Sequence, residues 1–166
     1  MTALFARTVF HDALARLSDP HLLRELSYVG GRWVAGRDGD SFAVTDPASG
    51  ATLAWAAALD AGQTTEAVSA AAQAFPAWRD LLPQQRAETL RKWHGLILEA
   101  REDLALLMTL EQGKPLAESR GEIDYAASFI EWYAEEGKRL NAESVTSHLP
   151  GAEMIVRREA LGVVGI

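Results

Sequence analysis

Apolar residues return at helical spacing along three long stretches of the chain. In the first, Val68, Ala72 and Phe75 share a face, and Thr64 or Thr65 offers a cap for a helix over 66–78. Pro76 should kink or end that helix. Pro83 opens the second, which runs to about Leu110 with Leu90, Trp93, Ile97, Leu104 and Met108 near the helical period. Gly113 breaks it and Pro115 restarts the chain as a third helix reaching the neighbourhood of Leu140. On this last helix Ile123, Ala127, Ile130 and Ala134 form one stripe; Tyr125, Phe129 and Trp132 form a second. Two stripes predict burial on more than one side. Glu131, Glu135 and Arg139 follow at four-residue steps and predict a solvated, ion-paired edge.

Elsewhere the period changes. Asp19-Pro20 is a helix-start pair, predicting a short helix through Leu26. The runs 28–34, 42–45 and 52–57 read as strands joined by turn clusters at 36–40 and 46–50, a small β-meander. Residues 141–152 read as loop, and 153–160 and 162–166 as two further strands. Residues 1–18 read as a loosely attached helical extension, short, in which Leu14 and Leu17 could pack. The resulting division is an extension at 1–18, a helical and β-meander part at 19–152, a separate strand at 153–161 and a last strand at 162–166. That last strand ends in apolar residues without a cap, which reads as an interruption at Ile166. The fold class is α/β: a helical layer with a meander, plus strands of a sheet completed elsewhere.

Composition narrows the chemistry. At 166 residues the chain is long enough to bury a core, and 48% hydrophobic with 23% charged residues is ordinary for a globular protein. The net charge of −7 argues against a nucleic-acid partner, because phosphate neutralisation needs a basic patch. No apolar run is long enough for a membrane span, and the first residues lack a secretory signal pattern, so the expected location is cytoplasmic. The chain has no cysteine. Disulfides, thiolate metal sites and a thiol nucleophile within these residues are therefore excluded.

Several motifs resolve into structural readings. Gly113-Lys114 lacks the earlier glycine of a phosphate-binding loop, since Met108 stands there, and Pro115 replaces the required Ser or Thr. Gly162-Val-Val-Gly165 lacks the spacing of a dinucleotide fingerprint. Glu118, Glu122, Glu131 and Glu135 suit a solvated face better than acid–base chemistry. His11, His21, His94 and His148 have no metal-ligand spacing, and no G-x-S-x-G element is present.

The wording of the stretch 109–140, TLEQGKPLAESRGEIDYAASFIEWYAEEGKRL, resembles that of the NAD(P)-dependent aldehyde dehydrogenases, most closely their succinate-semialdehyde branch. The Y-x-x-G-x-W strand and the D-P-x-x-G turn resemble the same family's opening. The resemblance runs from about Leu17 to Ile166 and implies the N-terminal part of that fold, with an oligomerisation-arm strand at 153–161 and the first strand of a Rossmann-like sheet at 162–166. It implies oxidation of a small aldehyde to a carboxylate with NAD or NADP, in which a cysteine attacks the aldehyde, the nicotinamide accepts a hydride and a glutamate activates water. By the same resemblance Gly165 and Ile166 lie beside the cofactor, and Tyr125 and Phe129 line the substrate tunnel. Glu111, with backbone carbonyls near Val44-Thr45-Asp46-Pro47, holds a monovalent cation; the alternative is a plain helix-end carboxylate. Core packing is the alternative role for Tyr125 and Phe129. The arm strand implies a homo-oligomer. The family's cysteine and base would lie beyond Ile166, so these residues alone are expected to be catalytically silent. The competing hypothesis is a catalytically inactive helical interaction module derived from that family.

Overall fold

A computed structural model describes residues 14–166. The proposed extension before Leu14, including His11, lies outside them. Four helices and three small strand pairs make up the described chain, in agreement with the α/β expectation.

The strands pair locally. β1 (Ser27–Val29) and β2 (Arg32–Val34) form an antiparallel hairpin about Gly30 and Gly31, whose φ values of 54° and 81° suit glycine. The run 28–34 is therefore two strands with a turn inside it. β3 (Ser41–Thr45) pairs with β4 (Thr52–Ala57), with a register shift between Val44 and Thr45. Their connection is folded by Asp46, whose carboxylate accepts from Ala48 N–H at 2.8 Å and Ser49 Oγ–H at 2.7 Å. A 3₁₀ turn at Arg37–Gly39 separates β2 from β3, so the expected meander resolves into two independent pairs. The third pair joins β5 (Glu143–Val145) to β6 (Met154–Val156). β5 lies in the stretch expected to be loop, and β6 is shorter than the expected strand over 153–160. Residues 157–166 pair with no strand among the described residues.

The helix boundaries follow capping chemistry more closely than apolar period. α1 (Ala61–Arg79) starts at Asp60, not at Thr64 or Thr65. Asp60 Oδ1 accepts Gln63 N–H at 2.7 Å, and Gln63 Oε1 accepts the Asp60 N–H at 3.3 Å, a reciprocal cap. Both threonine hydroxyls donate backwards to carbonyls of the preceding turn. Pro76 stays inside α1, in its last turn, so the helix does not end there but runs on to Arg79. The helix expected over 19–26 is only a 3₁₀ turn, Pro20–Leu22, capped by Asp19.

The long second helix is two: α2 (Pro83–Glu99) and α3 (Arg101–Gln112), separated at Ala100. Glu102 and Asp103 in the first turn of α3 favour a fresh helix start there. Gly113, at φ 76°, ends α3 and Pro115 precedes α4 (Leu116–Glu136). α4 packs along both α2 and α3. Its buried stripe is Ser119, Ile123, Ala127 and Ala134. The fully buried Ser119 shares a 2.8 Å hydroxyl hydrogen bond with Thr109 of α3. Arg101 grips both oxygens of Asp124 at 2.6 and 2.7 Å, and Arg120 reaches Glu102. The second stripe corrects the expectation of burial on several sides: Tyr125 is 65%, Phe129 45% and Trp132 62% exposed. Nothing among the described residues covers that face.

The solvated edge also differs in its pairing. Glu135 binds Lys138 and, across to α2, Arg91 at 2.5 Å, while Arg139 pairs with Glu136. The hydrogen bonds from Lys138 and Arg91 hold the Glu135 carboxyl down at about 2, against an ordinary 4.5. A depressed carboxyl contributes stability above its unfolded value and loses it as pH falls through the folded one. We therefore expect a carboxyl-detected NMR titration of Glu135 to have its midpoint near 2, and Arg91→Ala to raise it. An ordinary midpoint in the unmodified protein would contradict this pairing.

Candidate functional site

A cavity of about 300 Å³ opens between the end of α3, the β3–β4 pair and the segment before β1. Phe42, Val44, Leu53, Ala54 and Ala56 come from the strands, Leu107, Leu110 and Glu111 from α3, and Leu14, Leu23 and Arg24 from the preceding segment. The alternation of β3 and β4 supplies the apolar strand face. Glu111 and Val44 both line this cavity, Glu111 from the helix side and Val44 from the strand side.

Two turns fix that placement. Gly113 packs against the β3–β4 turn so closely that a Cβ on it would stand 2.8 Å from Pro47 Cγ. Its left-handed φ of 76° independently favours glycine. Lys114, next in the turn, pairs with Glu122 on the first turns of α4. The α3–α4 connection is therefore seated on Asp46-Pro47, which holds the end of α3, and Glu111 with it, beside β3.

Among the described residues, side-chain oxygens for a cation are few at this cavity. Among the described residues Glu111 is the only carboxylate lining the cavity, and Arg24 lines it too as a cation. A hard cation takes several oxygen ligands. Among the described residues no three His, Cys, Asp or Glu side chains gather into a metal-binding group.

The other predicted residues lie elsewhere. Tyr125 and Phe129 meet edge to face, ring centres 4.7 Å apart and planes at 76°, on the open face of α4. They do not line the cavity. Gly165 and Ile166 stand in the final stretch, where a Cβ on Gly165 would meet nothing within 4 Å. By themselves these two residues form no cradle for a dinucleotide. Sequence reasoning missed Asp103, buried at the start of α3, and the Gly113–Pro47 contact. The acidic pair after Arg101 was the available signal for the first; nothing local announces the second.

The helical layer with small antiparallel pairs, the seated Gly-Lys-Pro turn and the matching of sequence over most of the chain converge on one class. The profile of the Aldehyde dehydrogenase family matches residues 33–166, and the chain belongs to that family. It is 46% identical over 148 residues to the NADP(+) succinate-semialdehyde dehydrogenase of Escherichia coli K12, covering 89% of this chain and 31% of that protein. It is 44% identical over 148 residues to the glutarate-semialdehyde dehydrogenase of Pseudomonas putida KT2440, with the same coverage of each. A crystal structure of an E. coli NADP dependent enzyme superposes with a TM-score of 0.81 at 46% identity, over 86% of this chain and 30% of that one. The chain thus spans about a third of the length of the relatives it matches. No helix among the described residues is long and apolar enough to cross a membrane.

Gly113→Ala should destabilise the protein by about 1–3 kcal/mol, through backbone strain and the contact with Pro47. Urea unfolding reads this directly. An unchanged midpoint would show that the turn is not seated as described.

Proposed function

We propose that this chain is the N-terminal part of an NAD(P)-dependent aldehyde dehydrogenase that oxidises a small semialdehyde, succinate semialdehyde first among them, to its carboxylate. The observation that carries this reading is close similarity in sequence and fold over nearly the whole chain to enzymes named for semialdehydes. The absence of cysteine means that the family's thiol nucleophile must come from outside these residues.

Within that reading the described residues have supporting roles. Tyr125 and Phe129 form part of the wall along which the aldehyde approaches, and their exposure supports a face completed by further chain. Glu111 and the backbone at Val44 contribute to a monovalent cation site whose remaining oxygens come from elsewhere. Gly165 and Ile166 lie beside the nicotinamide, which supplies hydride acceptance when bound. The β5–β6 hairpin, exposed along all six of its strand residues, is the arm by which copies of the protein pair. The enzyme works in the cytoplasm.

A second reading rests on the missing cysteine: a catalytically inactive interaction module derived from the family, pairing through the same hairpin.

The test is aldehyde oxidation by the natively expressed protein, followed by the absorbance of reduced nicotinamide. Succinate semialdehyde should be oxidised with NAD or NADP. Phe129→Ala should raise KM several-fold with a smaller change in kcat, because the ring shapes approach and not chemistry. The isolated 166-residue chain should be silent with every aldehyde. Failure of the native protein to oxidise any aldehyde with either cofactor would favour the interaction module.

A further inference from the structure

Asp103 is an acidic side chain only 7% exposed, in the first turn of α3. A carboxylate so buried needs hydrogen-bond partners. Each of its oxygens takes one backbone amide from a segment some 85 residues earlier: Ser18 N–H donates to Oδ1 at 2.9 Å and Asp19 N–H to Oδ2 at 2.8 Å. Beside it, Leu14 and Leu17 are buried with Leu106 of α3, and Leu23, Leu107 and Leu110 pack around them.

The segment has little internal structure to hold it. It contains two 3₁₀ turns, Leu14–Arg16 and Pro20–Leu22. Such turns are short and poorly bonded, so their order depends on what they dock against. The far end is fixed separately. Glu25 accepts Ala57 N–H through its carbonyl at 2.7 Å and Trp55 N–H through its carboxylate at 3.1 Å. Leu14, Leu23 and Arg24 of this segment line the 300 Å³ cavity that Val44 and Glu111 also line.

We propose that residues 14–23 are a hinged strap over this cavity, latched to α3 by the Asp103 carboxylate together with Leu14 and Leu17, which opens as a unit while the helical layer stays folded. The hinge is at Glu25. The carboxylate and the leucines act on the same segment, so releasing either half of the latch frees the other. This holds whatever substrate the enzyme takes.

Hydrogen exchange on the natively expressed protein tests the strap. Asparagine has one acceptor oxygen where aspartate has two, so Asp103→Asn leaves one of the two amides facing an NH₂ group. In Asp103→Asn, exchange at Ser18 and Asp19 should rise by at least about tenfold. Leu22 and Leu23, whose amides bond only within the second turn, should rise with them. Amides of α2 and α4 should keep their protection. Leu17→Ala supplies the reciprocal reading and decides the matter alone if the first variant does not fold: carboxyl labelling of Asp103 should rise by a similar factor. A response confined to Ser18 and Asp19 would reduce the latch to a local cap. Equal loss of protection in α2 and α4 would make Asp103 a general core residue. No change in either variant would also overturn the strap.

Discussion

The spacing of α4 against α2 and α3 is set by small side chains, and the rest of the layer depends on it. Ala127, Ala134 and Ser119 on α4 are buried almost completely, as are Ala87 on α2 and Ala105 on α3. Side chains of that size allow helices to approach closely, and a larger one at any of these positions would force an interior already at close packing to move. With the helices so held, the ends of α3 and α4 converge on a short turn. That turn has room for no side chain at Gly113, because Pro47 occupies the space. The placement of Glu111 at the cavity that Val44 also lines follows from this packing.

The same packing leaves the opposite face of α4 bare. Tyr125, Phe129, Trp132 and Tyr133 crowd one side of a helix whose other side is fully used. Relatives that contain this stretch are about three times as long, and this chain matches their N-terminal part. The proposed tunnel wall and the proposed arm both assign the exposed surface to contacts made within a larger assembly. In the proposed reading these residues position and enclose, and, having no cysteine, they hold no thiol nucleophile.

Local chemistry was readable from the sequence where it was self-contained. The Gly113 and Pro115 punctuation, the Asp46-Pro47 turn and the strand character of 42–45 and 52–57 all follow from a few adjacent residues. Leu14 and Leu17 are buried with Leu106, so the end of the extension that carries them is docked and not loosely attached as expected. The break at Ala100 was not readable, because no glycine or proline marks it; the acidic start of α3 acquires its meaning only when Asp103 meets Ser18 and Asp19. The meander was misread because two glycines at 30 and 31 close a hairpin within one apparent strand. Periodicity showed that α4 has two apolar stripes, but not that only one finds its partner in these residues. The candidate cation pair was placed by resemblance, and no pattern of residue types near Val44 would have found it.

The most direct measurement is the intact mass of the natively expressed protein, taken on the same preparation that is assayed for aldehyde oxidation. The account predicts a polypeptide several-fold heavier than the 18.0 kDa of these residues, containing a reactive cysteine and oxidising succinate semialdehyde. A native mass of 18.0 kDa would contradict it, since a cysteine-free chain cannot carry the family's nucleophile.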